Sequence, residues 1–239
     1  MSLILLGERY RPHLDAPLRN LGLNPLYLPD NPMLDPRLAG HADLSVFAAG
    51  ERIWLSPQLK GTEIHEILLK IGYFVYFPNI LEGKTYPADA HLNLCAVGKH
   101  LFFSPKASVP AIVEFLTISE DYQPIPVKQA YLRCAMLPAD EESIITADPG
   151  VAKAARAAGL QVLQIEPGHV ALEGYDYGFL GGAGFLLTEQ KLAVLTGRLD
   201  RHPDKGRIEA FLQERGLALH TLTDEPIFDI GSAFVFAHR

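Results

Sequence analysis

The stretch His41–Pro57, HADLSVFAAGERIWLSP, contains the unit from which most of the chain is built. A polar lead-in is followed by a short apolar run, the turn Ala49-Gly50-Glu51, a return run Ile53–Leu55 and the stop Ser56-Pro57. Residues 89–105, DAHLNLCAVGKHLFFSP, repeat it, with Val97-Gly98-Lys99 as the turn and Ser104-Pro105 as the stop. A third copy starts at Gln129, QAYLRCAMLPADEESIITADPG, and a more glycine-rich fourth at Asp176, DYGFLGGAGFLLTEQKLAVLTG. A unit this small cannot bury its apolar face alone, so the copies must pack on one another.

Outside the hairpins the chain reads as helix and then strand. Thr62 opens a helical pattern, Ile64, Ile67, Leu68 and Ile71, closed by Gly72, with a strand expected at Tyr73–Phe77. Helices are likewise expected over Val109–Leu116, Val151–Ala158 behind Asp148-Pro149-Gly150, and Gly206–Arg215. A fifth unit is split. Phe228–Phe236 supplies one strand from the C-terminus, and Ser2–Leu6, a helix around Leu14–Leu21 and Pro25–Leu28 supply the rest. The expectation is a single α/β domain over residues 1–239, a five-bladed pseudo-fivefold propeller whose ring is closed by its N- and C-terminal strands.

Composition narrows the function. A net charge of −7 with no Lys/Arg run argues against a nucleic-acid surface. The Leu3–Leu6 run is too short for a secretory core or a membrane span. Two cysteines make no disulfide framework, so a cytoplasmic protein is expected, with no membrane partner and an open oligomeric state.

Read as strands, the lead-ins place His41 with Asp43, and Asp89 with His91 and Asn93, on one polar face. Gln129, Tyr131 and Arg133 take the polar face of the third unit, with Cys134 opposite them beside Leu132 and Met136 as a core thiol. Cys95, two residues after Asn93, is the cysteine kept as a nucleophile candidate. His169, after Glu166-Pro167-Gly168, is either a rim acid or base or a turn residue bonded to backbone. The His–Asp pairs match no metal-ligand spacing, so neither metal nor cofactor is expected. Gly181-Gly182-Ala183-Gly184 sits within a strand–turn–strand unit, which favours close backbone packing over a dinucleotide fingerprint.

Five such units with a seam at the termini resemble the pentein fold of the guanidino-group-modifying enzymes. The runs EPGHVALEGYDYGFLGG (166–182), SIITADPG (143–150), HPD (202–204) and DIGS (229–232) resemble more closely an uncharacterised bacterial branch assigned to that fold. The catalytic members bring a cysteine nucleophile on the last strand, a histidine near mid-chain and carboxylates that hold the guanidinium. Here the last strand, FDIGSAFVF, has Ser232 near the nucleophile position, and the mid-chain strand begins with Gln129 and Tyr131. Asp43 and Asp89 match the acidic positions, and Asp229 is expected to face the centre with them. The resemblance therefore implies a pocket for a small cationic ligand, guanidino or amino-acid-like, lined by His41, Asp43, Asp89, Asn93, Gln129, Asp229 and Ser232. A hydrolase or transferase using His91 or His169 as base and Cys95 as nucleophile, and a non-catalytic protein-interaction ring, are the alternatives.

Overall fold

The computed structural model describes residues 2–237. From the N-terminus, β1 (Leu3–Gly7), α1 (Arg11–Asn20) and β2 (Asn24–Leu28) form part of a unit. The first whole unit comprises a helical turn, α2 (Ala42–Ser45), then β3 (Val46–Ala49), β4 (Arg52–Leu55), α3 (Glu63–Lys70) and β5 (Phe74–Tyr76). The second has β6 (Cys95–Val97), β7 (His100–Phe103), α4 (Pro110–Ser119) and β8 (Gln123–Pro126). The third opens on another helical turn, α5 (Leu132–Ala135), before β9 (Met136–Pro138), β10 (Ser143–Thr146), α6 (Pro149–Ala157) and β11 (Gln161–Gln164). The fourth has β12 (Gly184–Leu187), β13 (Leu192–Leu195), α7 (Lys205–Gln213) and β14 (Ala218–Thr221), and β15 (Phe234–Phe236) follows.

Local chemistry accounts for the helices. Asp148 caps α6 by accepting hydrogen bonds from the amides of Gly150 at 2.8 Å and Val151 at 2.9 Å, and Pro149 occupies the first turn. In α3, Glu63 and Glu66 lie in the first turn and Lys70 in the last, which suits the helix dipole, while Ile64 and Leu68 are buried. Each whole unit pairs its first two strands antiparallel, and the third strand returns through the helix to lie parallel to the second. The split unit obeys the same rule. β15 runs antiparallel to β1, with Leu3 opposite Phe236 and Leu5 opposite Phe234, and β2 lies parallel to β1. The two ends of the chain thus share a sheet. The result is five three-stranded sheets, and no sheet closes on itself among the described residues.

The core is divided in the same way. Leu5 and Phe236 of the split unit cluster with Val46, Ile53 and Leu55 of the first. Phe47 and Trp54 of the first cluster with Leu94 and Leu101 of the second. Val97 and Phe102 pack with Met136 and Ile144, Leu137 and Ile145 with Ala193 and Leu195, and Phe185 and Val194 with Ile4 and Leu6. Every sheet therefore shares buried apolar surface with the next, and the fourth shares it with the split one. This is how a small unit with two apolar faces is stabilised.

The lead-ins differ from expectation. Residues 42–45 and 132–135 are helical turns, and residues 89–94 form turns, so the strands begin only at Val46, Met136 and Cys95. Polar–apolar alternation over four or five residues does not distinguish a strand from one helical turn. The backbone partners decide it: the Asp43 amide bonds to the Gly231 carbonyl at 3.0 Å, and Leu44 bonds back to His41 at 3.3 Å. The strands expected over Gly178–Leu187 and Phe228–Phe236 are shortened to Gly184–Leu187 and Phe234–Phe236. Gly231 and Ser232 have φ of +68° and +64°, two successive left-handed residues that interrupt extended strand geometry.

Candidate functional site

The lead-in segments of the five units converge. The Leu132 amide donates to the Asn93 carbonyl at 3.3 Å, Gly182 to the Cys134 carbonyl at 3.0 Å, and Ser232 to the Gly182 carbonyl at 2.9 Å. The Asp43 amide bond to Gly231 extends this chain of contacts to the first unit. Gly182 has to be glycine, because a Cβ there would stand 2.0 Å from Oδ1 of Asp229.

Above this junction lies a cavity of about 420 Å³. His41, Cys134 and Asp229 line it together with Leu38, Leu44 and Leu172, and Tyr86, Tyr131, Tyr175, Tyr177 and Phe179 add an aromatic wall. Gln129 and Asp176 complete the lining. Tyr86, Tyr175 and Tyr177 are exposed, whereas Asp229 and Cys134 are buried, so the rings lie toward solvent and the carboxylate and thiol lie deep.

Asp43 connects the deep residues. Its Oδ2 accepts from the Cys134 thiol at 2.8 Å and from the Ser232 hydroxyl at 2.7 Å, and its Oδ1 is buried without a partner. Asn93 donates to the Cys134 sulfur at 3.5 Å and accepts from the Arg133 amide at 2.7 Å, which fixes its orientation behind the thiol. Asp229 accepts from the amides of Phe179 and Gly231, each at 2.8 Å. Nε2 of His41 is buried without a partner. One potential ligand atom from each of His41, Asp43 and Cys134 lies within 4.8 Å of the other two.

The electrostatics follow from burial. Asp229 is raised above the ordinary carboxylate value, first by burial and then by Asp43, against the pull of His41 and its two amide donors. The Cys134 thiol is raised well above its ordinary value by burial and by the carboxylates of Asp43 and Asp229, so it stays protonated. Asp89 is raised by burial, while a 2.5 Å hydrogen bond from the Tyr131 hydroxyl opposes the shift.

Of the residues singled out in the sequence, His41, Asp43, Asp229 and Ser232 meet at this junction, and Asn93 stands behind it. Gln129 lines the cavity, donating to Asp148 at 3.1 Å and accepting from the Tyr131 amide at 3.1 Å. Asp89 is held beside the cavity by Tyr131, with its Oδ1 buried and bare. The other three lie elsewhere. Both ring nitrogens of His91 face carbonyls, Nδ1 at 2.7 Å from Ala107 and Nε2 at 3.0 Å from Leu81. Cys95 is packed in the apolar cluster between the second and third sheets, and burial pushes its thiol up to about 11. His169 packs against His202, ring centres 5.1 Å apart, in a separate cleft with Arg198 and Arg201.

Sequence reasoning missed Cys134 and the aromatic wall. Read as a strand, residues 132–136 put Cys134 on the face of Leu132 and Met136. As a helical turn, they rotate it away by roughly 100° per residue, toward Asp43. The tyrosines come from separate loops, and no spacing links them.

A family described as of unknown function, DUF6873, matches residues 5–234. No curated protein matches the chain significantly. Among solved structures, the dimethylarginine dimethylaminohydrolase of Pseudomonas aeruginosa, a cysteine-to-serine mutant complexed with citrulline, is 12% identical with a TM-score of 0.58, covering 98% of this chain and 99% of that one. An amidinotransferase from Microseira wollei is 10% identical with a TM-score of 0.58, covering 93% of this chain and 77% of that one. The agmatine deiminase of C. jejuni is 9% identical with a TM-score of 0.52, covering 92% and 86%. At these identities the likeness concerns architecture alone, and the architecture is the α/β pentein-type fold.

Proposed function

The chain belongs to DUF6873, a family of unknown function, and on that premise we propose that its cavity binds a small organic cation of the guanidino or amino-acid-like class. One observation carries the reading: a buried carboxylate, Asp229, lies deep in a cavity whose outer wall is tyrosine. Aromatic faces attract a cation, and a planar guanidinium offers several N–H donors to a carboxylate. Asp229 takes one amide donor on each oxygen, which leaves lone pairs for such a group. Among the structural neighbours are a citrulline complex and an agmatine deiminase, in keeping with this ligand class.

Binding is favoured over turnover because the Ser232 hydroxyl bonds to Asp43 and the Gly181 carbonyl rather than to a histidine, and the Cys134 thiol is held neutral. A second reading, an amidinohydrolase or amidinotransferase, draws on the position of that thiol in the cavity wall. In that case the Cys134 S–H proton would pass to Asp43 as sulfur adds to the guanidinium carbon; the C–S bond forms while the C=N π pair moves onto nitrogen, and collapse of the adduct breaks a C–N bond and expels an amine that takes up that proton. The five sheets are read as blades about one axis, a propeller with the cavity at its centre, which the shared clusters from sheet to sheet support. No helix among the described residues is long and apolar enough to cross a membrane. The two buried free cysteines suit a reducing cytoplasm.

A thermal-shift screen with the cations arginine and agmatine, and with citrulline and other analogues whose side chain is neutral, tests the reading. Stabilisation by the cations, absent in Asp229→Asn, is expected. Equal response to neutral analogues, or none to any cation at millimolar concentration, would refute it. Mass gain on Cys134 during incubation with agmatine would instead favour the second reading.

A further inference from the structure

We propose that His41, Asp43 and Cys134 form a binding site for a thiophilic divalent cation of the zinc class, set at the floor of the cavity. Their ligand atoms lie within 4.8 Å of one another, and the side chains come from two lead-in segments that the fold brings together. All three residues are buried, at 3%, 0% and 4% exposure. Two of them are left with a bare polar atom, Nε2 of His41 and Oδ1 of Asp43. Such atoms are costly to bury, and a cation would satisfy both at once.

The donor set selects the ion. Imidazole nitrogen, thiolate sulfur and carboxylate oxygen suit zinc and cobalt, whereas magnesium and calcium take oxygen shells. Ligand atoms of a zinc tetrahedron stand roughly 3.5 Å apart, given bonds of about 2.0–2.3 Å. The Cys134 sulfur and Asp43 Oδ2 are 2.8 Å apart as a hydrogen-bonded pair, and the bound ion would replace the proton on sulfur while the two groups move apart. On binding, the S–H bond breaks, the sulfur–metal bond forms and the proton leaves to buffer. The surroundings favour this exchange. Ser232 holds Oδ2 of Asp43 at 2.7 Å, which leaves Oδ1 to turn to the ion, and Asn93 steadies the sulfur from behind. Three protein ligands beside an open cavity leave a fourth position for water or a ligand atom. A dication held by one carboxylate and one thiolate is neutral overall, so Asp229 remains available to an organic cation. The two sites stand or fall separately.

The test is titration of metal-free protein with Co²⁺ alone, followed by absorption. Thiolate-to-cobalt charge transfer is expected, saturating at about one ion per chain with release of about one proton, and bleaching when Zn²⁺ is added. The band should vanish in Cys134→Ser and persist in Cys95→Ser. No thiolate band in the wild-type protein, or an undiminished one in folded Cys134→Ser, overturns the proposal. Should Cys134→Ser fail to fold by circular dichroism, Asp43→Asn and His41→Gln decide it: each should weaken cobalt binding by about tenfold or more. Unchanged affinity in both overturns it as well.

Discussion

The Cys134 thiol donates to Oδ2 of Asp43 across 2.8 Å, joining two helical turns that lie 91 residues apart in the chain. Ser232 donates to the same oxygen from 189 residues away. One carboxylate thus ties the first, third and split units together at the point where their lead-ins meet.

Removing that carboxylate leaves the buried Cys134 thiol short of an acceptor and the Ser232 hydroxyl with only the Gly181 carbonyl at 3.1 Å. Asp43→Ala is therefore expected to lower unfolding stability by about 1–3 kcal/mol. Asp43→Ala combined with Ser232→Ala should cost less than the sum of the two, since each single change already breaks the same Asp43–Ser232 hydrogen bond. Urea denaturation of the three variants and the wild-type protein checks this; strict additivity would show that the Gly181 carbonyl, not Asp43, is the acceptor that matters to the hydroxyl.

The joined termini make a second prediction. Phe236 is buried at 2% exposure, pairs with Leu3 across the seam and packs edge-on against Tyr73 at 5.1 Å. Phe236→Ala should cost about 3–5 kcal/mol, the usual range for an aromatic lost from a core. A seam that merely frays at the chain end would lose under about 1 kcal/mol, the figure for an unpacked surface position. Denaturant midpoints distinguish these outcomes.

The repeated hairpins were legible in the sequence because they rest on local signals, a glycine turn, a Ser-Pro stop and a helix with 3.6-residue periodicity, and the seam followed from completing a fifth unit out of the strands left at the two ends. The lead-ins were not, because four residues of alternating polarity fit one helical turn as well as a strand. That ambiguity hid Cys134, whose side chain turns toward Asp43 only in the helical reading. It left Asp43, Asp229 and Ser232 legible, since these are polar in either conformation. His202-Pro203-Asp204 was opaque for another reason. Asp204 accepts from the Glu166 amide at 2.7 Å, 38 residues away, and its own amide donates to His202 Nδ1 at 3.1 Å. The tripeptide is a clasp between the third and fourth units, and its partner is a backbone group that no side-chain pattern reveals.

Asp229 makes stability depend on pH. Its folded pKa lies above the ordinary 3.8, so over the interval between the two values the folded state binds more proton than the unfolded one. Its contribution is fully present below 3.8 and is lost as pH rises through the folded value. Asp89 is raised too and acts in the same direction, so the informative quantity is a difference between proteins. The stability of Asp229→Asn relative to wild type should increase as pH rises from about 4 toward neutrality. Urea titrations at several pH values measure it; a flat or falling difference would mean that the Phe179 and Gly231 amides outweigh burial.

The aromatic wall separates attraction by rings from attraction by charge. Tyr175 already carries a cation, the Arg37 guanidinium 4.5 Å from its ring centre, and Arg37 is itself anchored on Asp35 by a 2.8 Å hydrogen bond. Arg37 lines the neighbouring cleft rather than this cavity, so a ligand would meet the part of the ring that Arg37 leaves uncovered. A bound organic cation should lose about 0.5–2 kcal/mol of affinity in Tyr175→Ala, the range for a partly desolvated cation–π contact. Tyr175→Phe, which keeps the ring and drops only the hydroxyl, should bind within a factor of about two of wild type if the face carries the interaction. Calorimetric titration with agmatine across both variants and Asp229→Asn ranks the terms. A Tyr175→Phe loss as large as that of Tyr175→Ala would assign the effect to the hydroxyl, and the cavity would then recognise its ligand by hydrogen bonding at the mouth.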